Sequence, residues 1–346
     1  MSNFSSGNDT TGIVWTYTLK ITTVAHVFYS LEGVIEVWAN GLILLAIWLN
    51  PNLHNKDYCL PGMLAVGDLF MGIGQVTGGP RRLYLIFRNQ HYDPVTPWHC
   101  ATTPPIFAWT LSSYLSNGMI LLISVDRCIA CYNPLLYTKL TARMLLAVAG
   151  ALFAGSLLMT LAMYVETYVR MPTETYPRLC YHAVAFHPAL FTLQLHYSVL
   201  TGLASVLVYG LALAFLYCRH TGVVSELMRS NKERQARVTQ TLVLVVACTF
   251  LLQTLPMMLR SVAYKLRLSF LPILNPLIVV VVNLNYTNNI FIYMAKNRDM
   301  RQSVLRLMQC RHPNSTTTTA VRVIDQRHSK RTHSTAGAAA SSTAPP

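Results

Sequence analysis

MLLAVAGALFAGSLLMTLAMYVETY, residues 144–168, carries one charged side chain, Glu166. Roughly 20 mostly apolar residues suffice to cross a bilayer as a helix, and this run exceeds that length. Working outward from Met144–Tyr168, six further runs meet the same criterion: Val24 to Leu49, Leu60 to Phe87, Pro104 to Cys131, Pro188 to Tyr217, Val238 to Ala263 and Phe270 to Met294. The second is the weakest, holding Asp68 and Gly62, Gly67, Gly72, Gly74, Gly78 and Gly79. Small residues let membrane helices approach closely, so it counts as a span. The expected fold is an all-α membrane protein, a seven-helix bundle.

The composition agrees. Of 346 residues 53% are hydrophobic and 12% charged, with mean hydropathy +0.38, about half the charge of a soluble domain. A net charge of +14 would suit nucleic acid, but nucleic-acid binders are not this apolar. With the N-terminus outside, two thirds of the 27 basic residues fall on the cytoplasmic side. The positive-inside rule therefore favours N-out, C-in at the plasma membrane. No signal-peptide pattern is seen at the start, so the first span is expected to direct insertion.

The chain divides into an outer tail (1–23), a seven-helix domain (24–294), an amphipathic membrane-surface helix (295–310) and a disordered cytoplasmic tail (311–346). Sequons at Asn3 and Asn8 suit glycosylation of the outer tail. In the surface helix Met300, Val304, Leu305 and Met308 alternate with Arg298, Arg301 and Arg306, a pattern that lies on lipid. Cys310 follows as a palmitoylation candidate. No pair of broken helices recurs in the two halves as many transporters would show. HExxH and Gly-rich phosphate loops are missing, so neither transporter nor enzyme is favoured.

The third span ends Leu121-Leu122-Ile123-Ser124-Val125-Asp126-Arg127, continuing to Pro134-Leu135-Leu136-Tyr137. This stretch resembles the rhodopsin-like G-protein-coupled receptors, whose third helix ends in Asp/Glu-Arg-Tyr before a Pro-Leu-x-Tyr turn. Asn40, Asp68, Ser116, Phe250, Pro256, Tyr209 and Asn289-Ile290-Phe291-Ile292-Tyr293 extend the resemblance over the seven-helix region. There are departures: Cys128 follows Arg127, Gln253-Thr254-Leu255-Pro256 replaces Cys-Trp-x-Pro, Ile290 replaces Pro, and Ala236 stands at the usual acidic lock position. The chain reads as a divergent member.

The resemblance implies that an outer ligand shifts a two-state bundle and the inner end engages a heterotrimeric G protein. Coupling would rest on Asp126, Arg127, Tyr209, Phe250, Pro256, Asn289 and Tyr293. Asn40, Asp68, Ser116 and Asn289 would form a polar centre able to hold a structural Na⁺; no other cofactor is implied. Cys100 and Cys180 would pair outside. Trp109 stands where aminergic receptors carry Asp, which argues against a monoamine. Arg81, Arg82, Arg88, Arg260, Lys265 and Arg267 make the outer side basic, favouring an anionic or peptide ligand; solvated loop charges or lipid-phosphate anchors are the alternative. The ligand candidates are Arg81, Trp109, Gln194, Arg260 and Lys265. Glu32 and Glu36 could instead pair with Arg81 or Arg82. Chemosensory and neuropeptide roles compete, as does a receptor-like protein without G-protein coupling.

Overall fold

The structure is a computed structural model that describes residues 9–220, 243, 244, 246–266, 271–296 and 298–309. Its long helices are α1 (Asp9–Leu49), α2 (Lys56–Phe87), α3 (Pro104–Tyr132), α4 (Ala142–Arg170) and α5 (Pro188–His220). α6 passes through a π-helical turn at Phe250–Thr254 into Leu255–Lys265, and is followed by α7 (Leu271–Lys296) and α8 (Arg298–Met308). Six of these helices are long and apolar enough to cross a membrane; α7 completes the bundle, packing against α1 and α6. The helix starts follow local chemistry. Asn55 accepts from the Asp57 amide to cap α2, Thr141 accepts from Met144 to cap α4, and Pro104 opens α3.

Boundaries differ from expectation mainly at α1, which is helical from Asp9 rather than from residue 24. Asn3, Asn8, Cys310, the expected start of the sixth span at Val238 and the tail after residue 310 lie outside the described residues. The surface helix is real but two-sided. Met300 and Val304 pack with Ile43, Ala46 and Leu53, whereas Leu305 and Met308 are exposed. Asn50 Nδ2 donates to Ser303 Oγ at 2.6 Å, tying α8 to the end of α1.

The outside of the bundle is apolar, as its core is. Trp38, Trp48, Leu158, Val165, Leu200, Leu207 and Leu251 are exposed on the outside of the bundle, where acyl chains replace water. Between helices, small residues set the spacing. A Cβ at Gly74 would meet the Trp109 ring at 2.5 Å, and one at Gly78 would meet it at 2.7 Å. The glycines that weakened α2 as a span are the notch into which α3 seats Trp109. On the outer face, residues 94–95 pair antiparallel with 176–177, and short helices form at Pro97–Ala101 and His182–Ala185.

Gly74→Val should therefore cost about 1–3 kcal/mol by overpacking, read as a lowered Tm of the purified protein. Gly150 has nothing within 4 Å of an added Cβ, so Gly150→Ala should hold or raise Tm.

Candidate functional site

A cavity of about 1020 Å³, mouth included, opens among α1, α2, α3, α5, α6, α7 and the outer loop. Its wall combines apolar Met71, Trp109, Met257, Pro276, Val279 and Val282 with Arg82, Arg260, His26, His182, Asn117, Gln253 and Asn283. No Asp or Glu is among the lining residues. Arg82, 5% exposed, lies with its guanidinium 4.7 Å from the Trp109 ring and 5.2 Å from that of Tyr181. Its Nε donates to Leu179 O at 2.9 Å and its Nη2 to Cys180 O at 2.6 Å. Cys180 is also bonded to Cys100, as the resemblance implies. It adopts φ 51, a left-handed conformation that costs a non-glycine residue about 1–2 kcal/mol. The disulfide and Arg82 hold it there from two sides.

Arg260 stacks over Phe191 at 5.7 Å. Among the described residues the ion pairs are made by Arg127, Arg170 and Arg178, so the two arginines of the cavity face it without a carboxylate. His182 Nε2 lies 2.9 Å from Thr110 Oγ1, whose own proton goes to Ile106 O at 2.7 Å. His182 is therefore the donor, in its Nε2–H form. Burial first, then the positive Arg260 and Arg82, push its pKa down to about 3, so the imidazole is neutral.

The expected ligand residues divide. Trp109 and Arg260 line the cavity; Arg81 does not, and Arg82 takes its place, one residue being a 100° turn of the helix. Lys265 is exposed and outside the wall, and Gln194 is buried away from it. The alternative pairing of Glu32 or Glu36 with Arg82 is not formed. Arg82 turns to the loop carbonyls, while Glu36 accepts from Gln75 and Thr287. Sequence reading did not place Arg82, His26, His182 and Asn117 on one cavity; only their clustering in space signals it.

At the cavity floor Gln253 replaces the aromatic residue that the resemblance would put there. Its Nε2 donates to Asn117 Oδ1 at 2.9 Å and Tyr286 Oη at 3.3 Å, and its Oε1 accepts from Asn285 Nδ2 at 2.8 Å. One carboxamide thus links α3, α6 and α7 within the π-helical turn. Phe250 begins that turn and Pro256 is buried just after it.

At the other end Arg127 is bonded to Asp126, with Nε to Oδ2 at 2.8 Å and a second bond from Nη2 to the same oxygen. Nη2 also donates to Tyr137 Oη at 2.7 Å, and that hydroxyl donates to Asp57 Oδ1 at 3.4 Å. Asn133 Oδ1 caps the short helix Pro134–Lys139 by accepting from Leu136 N, and so delivers Tyr137. Burial raises the Tyr137 pKa above the usual phenol range, keeping it a donor. Tyr209 is buried in the apolar cluster of Leu64, Leu115 and Ile123. In the interior, Ser116 Oγ donates to Asp68 Oδ1 at 2.9 Å. Asn40 is buried beside Glu36, donating to its carbonyl. The side chains of Asn289 and Tyr293, and residue Arg267, lie outside the described residues.

Comparison with known proteins now decides the family. Residues 33–308 match the serpentine type 7TM GPCR chemoreceptor family Srsx. The chain belongs to this family. It is a divergent rhodopsin-like receptor and a multi-pass membrane protein, and Srsx membership implies an extracellular ligand and a G protein as partners. Among similar proteins, Homo sapiens olfactory receptor 51A4 is 22% identical over 81% of this chain and 90% of its own. Olfactory receptor 51I1 of Homo sapiens is 22% identical over 86% and 90%. Homo sapiens olfactory receptor 51A2 is 29% identical, but over 38% of this chain, which spans only 41% of that receptor's length.

The neutral His182 gives a pH test. Its folded pKa lies below the ordinary 6.5, so its stabilising contribution is present above pH 6.5 and is lost progressively as pH falls toward 3. Between pH 7.5 and pH 5 the wild-type Srsx protein should lose more Tm than His182→Gln; equal losses would contradict a buried neutral imidazole.

Proposed function

We propose that this protein is a chemosensory receptor for small anionic molecules, a carboxylate on an apolar body. It sits in the plasma membrane with its N-terminus outside and its C-terminus in the cytoplasm. The observation that carries this reading is the pair Arg82 and Arg260 facing a mainly apolar cavity, with no acidic side chain among the described residues of its wall. Arg82 is committed to the loop, so Arg260 is the head-group partner: its planar fork suits a bidentate carboxylate. Trp109, Met257 and Val279 would take the apolar part. A mainly apolar wall with a few placed polar groups is the lining of small-molecule sites, which favours a small chemosensory ligand over a peptide. The human relatives are named as olfactory receptors.

Ligand must bind one bundle state better than the other to signal. Gln253 stands between cavity and core, so a ligand that draws on its carboxamide loosens α6 from α3 and α7. At the inner end Arg127 must leave Asp126 and Tyr137 to engage the G protein. Tyr209, Pro256, Asn289 and Tyr293 are proposed to support that change. Asp68 and Ser116, both buried and hydrogen-bonded through oxygens, fit a structural Na⁺. The cytoplasmic basic residues suit anionic lipid.

In cells carrying a promiscuous G protein, an octanoate response should require about 10–100-fold more ligand in Arg260→Met, the equivalent of losing a charge-assisted contact of about 1–3 kcal/mol. Octanol potency should be unchanged. A wild-type receptor indifferent to carboxylates of every chain length would overturn the ligand assignment. Arg127→Ala should abolish signalling at normal surface expression. Tyr137→Phe should raise basal signalling by about 2–10-fold, since the lost hydrogen bond is worth about 0.5–1.5 kcal/mol.

A further inference from the structure

Inward of the cavity, where α1, α2 and α7 meet, lies a second polar cluster. Glu36 is 0% exposed. Its Oε1 accepts from Gln75 Nε2 at 3.2 Å and Thr287 Oγ1 at 3.4 Å, while its Oε2 has no hydrogen-bond donor. Gln75 and Asn40 are each 1% exposed, and their Oε1 and Oδ1 also lack donors. Asn40 Nδ2 bonds back to Glu36 O at 3.1 Å, holding the amide on the same turn. One turn outward, Glu32 hydrogen-bonds to Asn283, a residue of the cavity wall, and its Oε2 is again without a donor.

Every unpartnered atom in this cluster is an oxygen. Waters could serve some of these acceptors, but they bring no charge, and a carboxylate sealed from water without a countercharge costs several kcal/mol. Among the described residues no Lys, Arg or His forms an ion pair with Glu32 or Glu36. A proton on Glu36 can be given to only one of the Gln75 and Asn40 oxygens, so the set of unpartnered oxygens points to a cation that takes hard oxygen ligands. One carboxylate with two amide oxygens and a hydroxyl is a poor set for Ca²⁺ or Mg²⁺, which favour more carboxylate charge or bound waters. Nor do three His, Cys, Asp or Glu side chains converge among the described residues.

We propose that Glu36, Gln75, Asn40 and Thr287 form a sodium site of their own, distinct from the Asp68–Ser116 pair and entered from the cavity past Asn283 and Glu32. The site ties extracellular sodium to the wall that contacts ligand, without using Arg260 or Gln253.

The test is ²²Na⁺ binding to the purified full-length receptor, together with Tm in NaCl against N-methyl-D-glucamine chloride at equal ionic strength. The proposal expects Glu36→Gln, nearly isosteric, to weaken sodium binding at least tenfold and shrink the sodium-dependent rise in Tm. Gln75→Met, which keeps the carboxylate, should weaken binding by a smaller factor, and Asp68→Asn should leave a sodium response behind. Wild-type binding unaltered in Glu36→Gln, loss of all binding in Asp68→Asn alone, or no sodium binding by the wild type would each overturn it; the last would mean that a proton neutralises Glu36. None of these readouts needs a ligand, so they are independent of the anionic-ligand assignment.

Discussion

A polar group buried in a bilayer must find its partner inside the protein, because the surrounding solvent offers none. The rest of this receptor follows from that constraint. The backbone meets it by forming helices. The side chains meet it by converging on the bundle axis, where Gln253 joins three helices and Ser116 joins two through Asp68. Apolar side chains fill clusters between the helices and also face the lipid, and small residues control how closely the helices approach. Lipid tails are as apolar as leucine, so burial alone does little to hold one helix to another. The polar joints and glycine notches carry that task.

The same rule orders the two ends of the molecule. On the outer side, Arg82 donates to two loop carbonyls and so holds a cover over the cavity. Arg260 is left facing the space beneath. On the inner side, Arg127 is satisfied by Asp126 and Tyr137. Arg82 and Arg127 thus give hydrogen bonds to the protein itself, whereas Arg260 stacks on Phe191 at the cavity wall. That asymmetry separates the arginines that organise the fold from the one suited to contact something foreign.

How much of this was legible in the sequence depended on range. Hydrophobic runs are local, so the seven helices could be read directly, as could the Cys100–Cys180 bond once the resemblance was recognised. Facing is harder. Arg81 and Arg82 are neighbours in the chain, yet only Arg82 enters the cavity wall, and composition cannot distinguish a 100° rotation. Gln253 could be seen only as a missing aromatic ring; its worth lies in Asn117, Asn285 and Tyr286, partners on two other helices. Tyr137 was noted as part of a turn motif, but its bond to Arg127 depends on how the Pro134–Lys139 helix is capped and seated. In each case the chemistry was visible and the partner was not.

The Trp109 ring seated against Gly74 and Gly78 also sets the mechanics of the bundle. A large flat ring pressed onto bare backbone leaves no slack, so the α2–α3 seam is stiff and transmits load with little give. On the opposite side, α6 carries an irregular turn at Phe250–Thr254, where the hydrogen-bond ladder is already offset. Work done on the cavity is therefore not shared evenly. A ligand pressing on the cavity wall would meet the close-packed α2–α3 seam on one side and the irregular turn of α6 on the other.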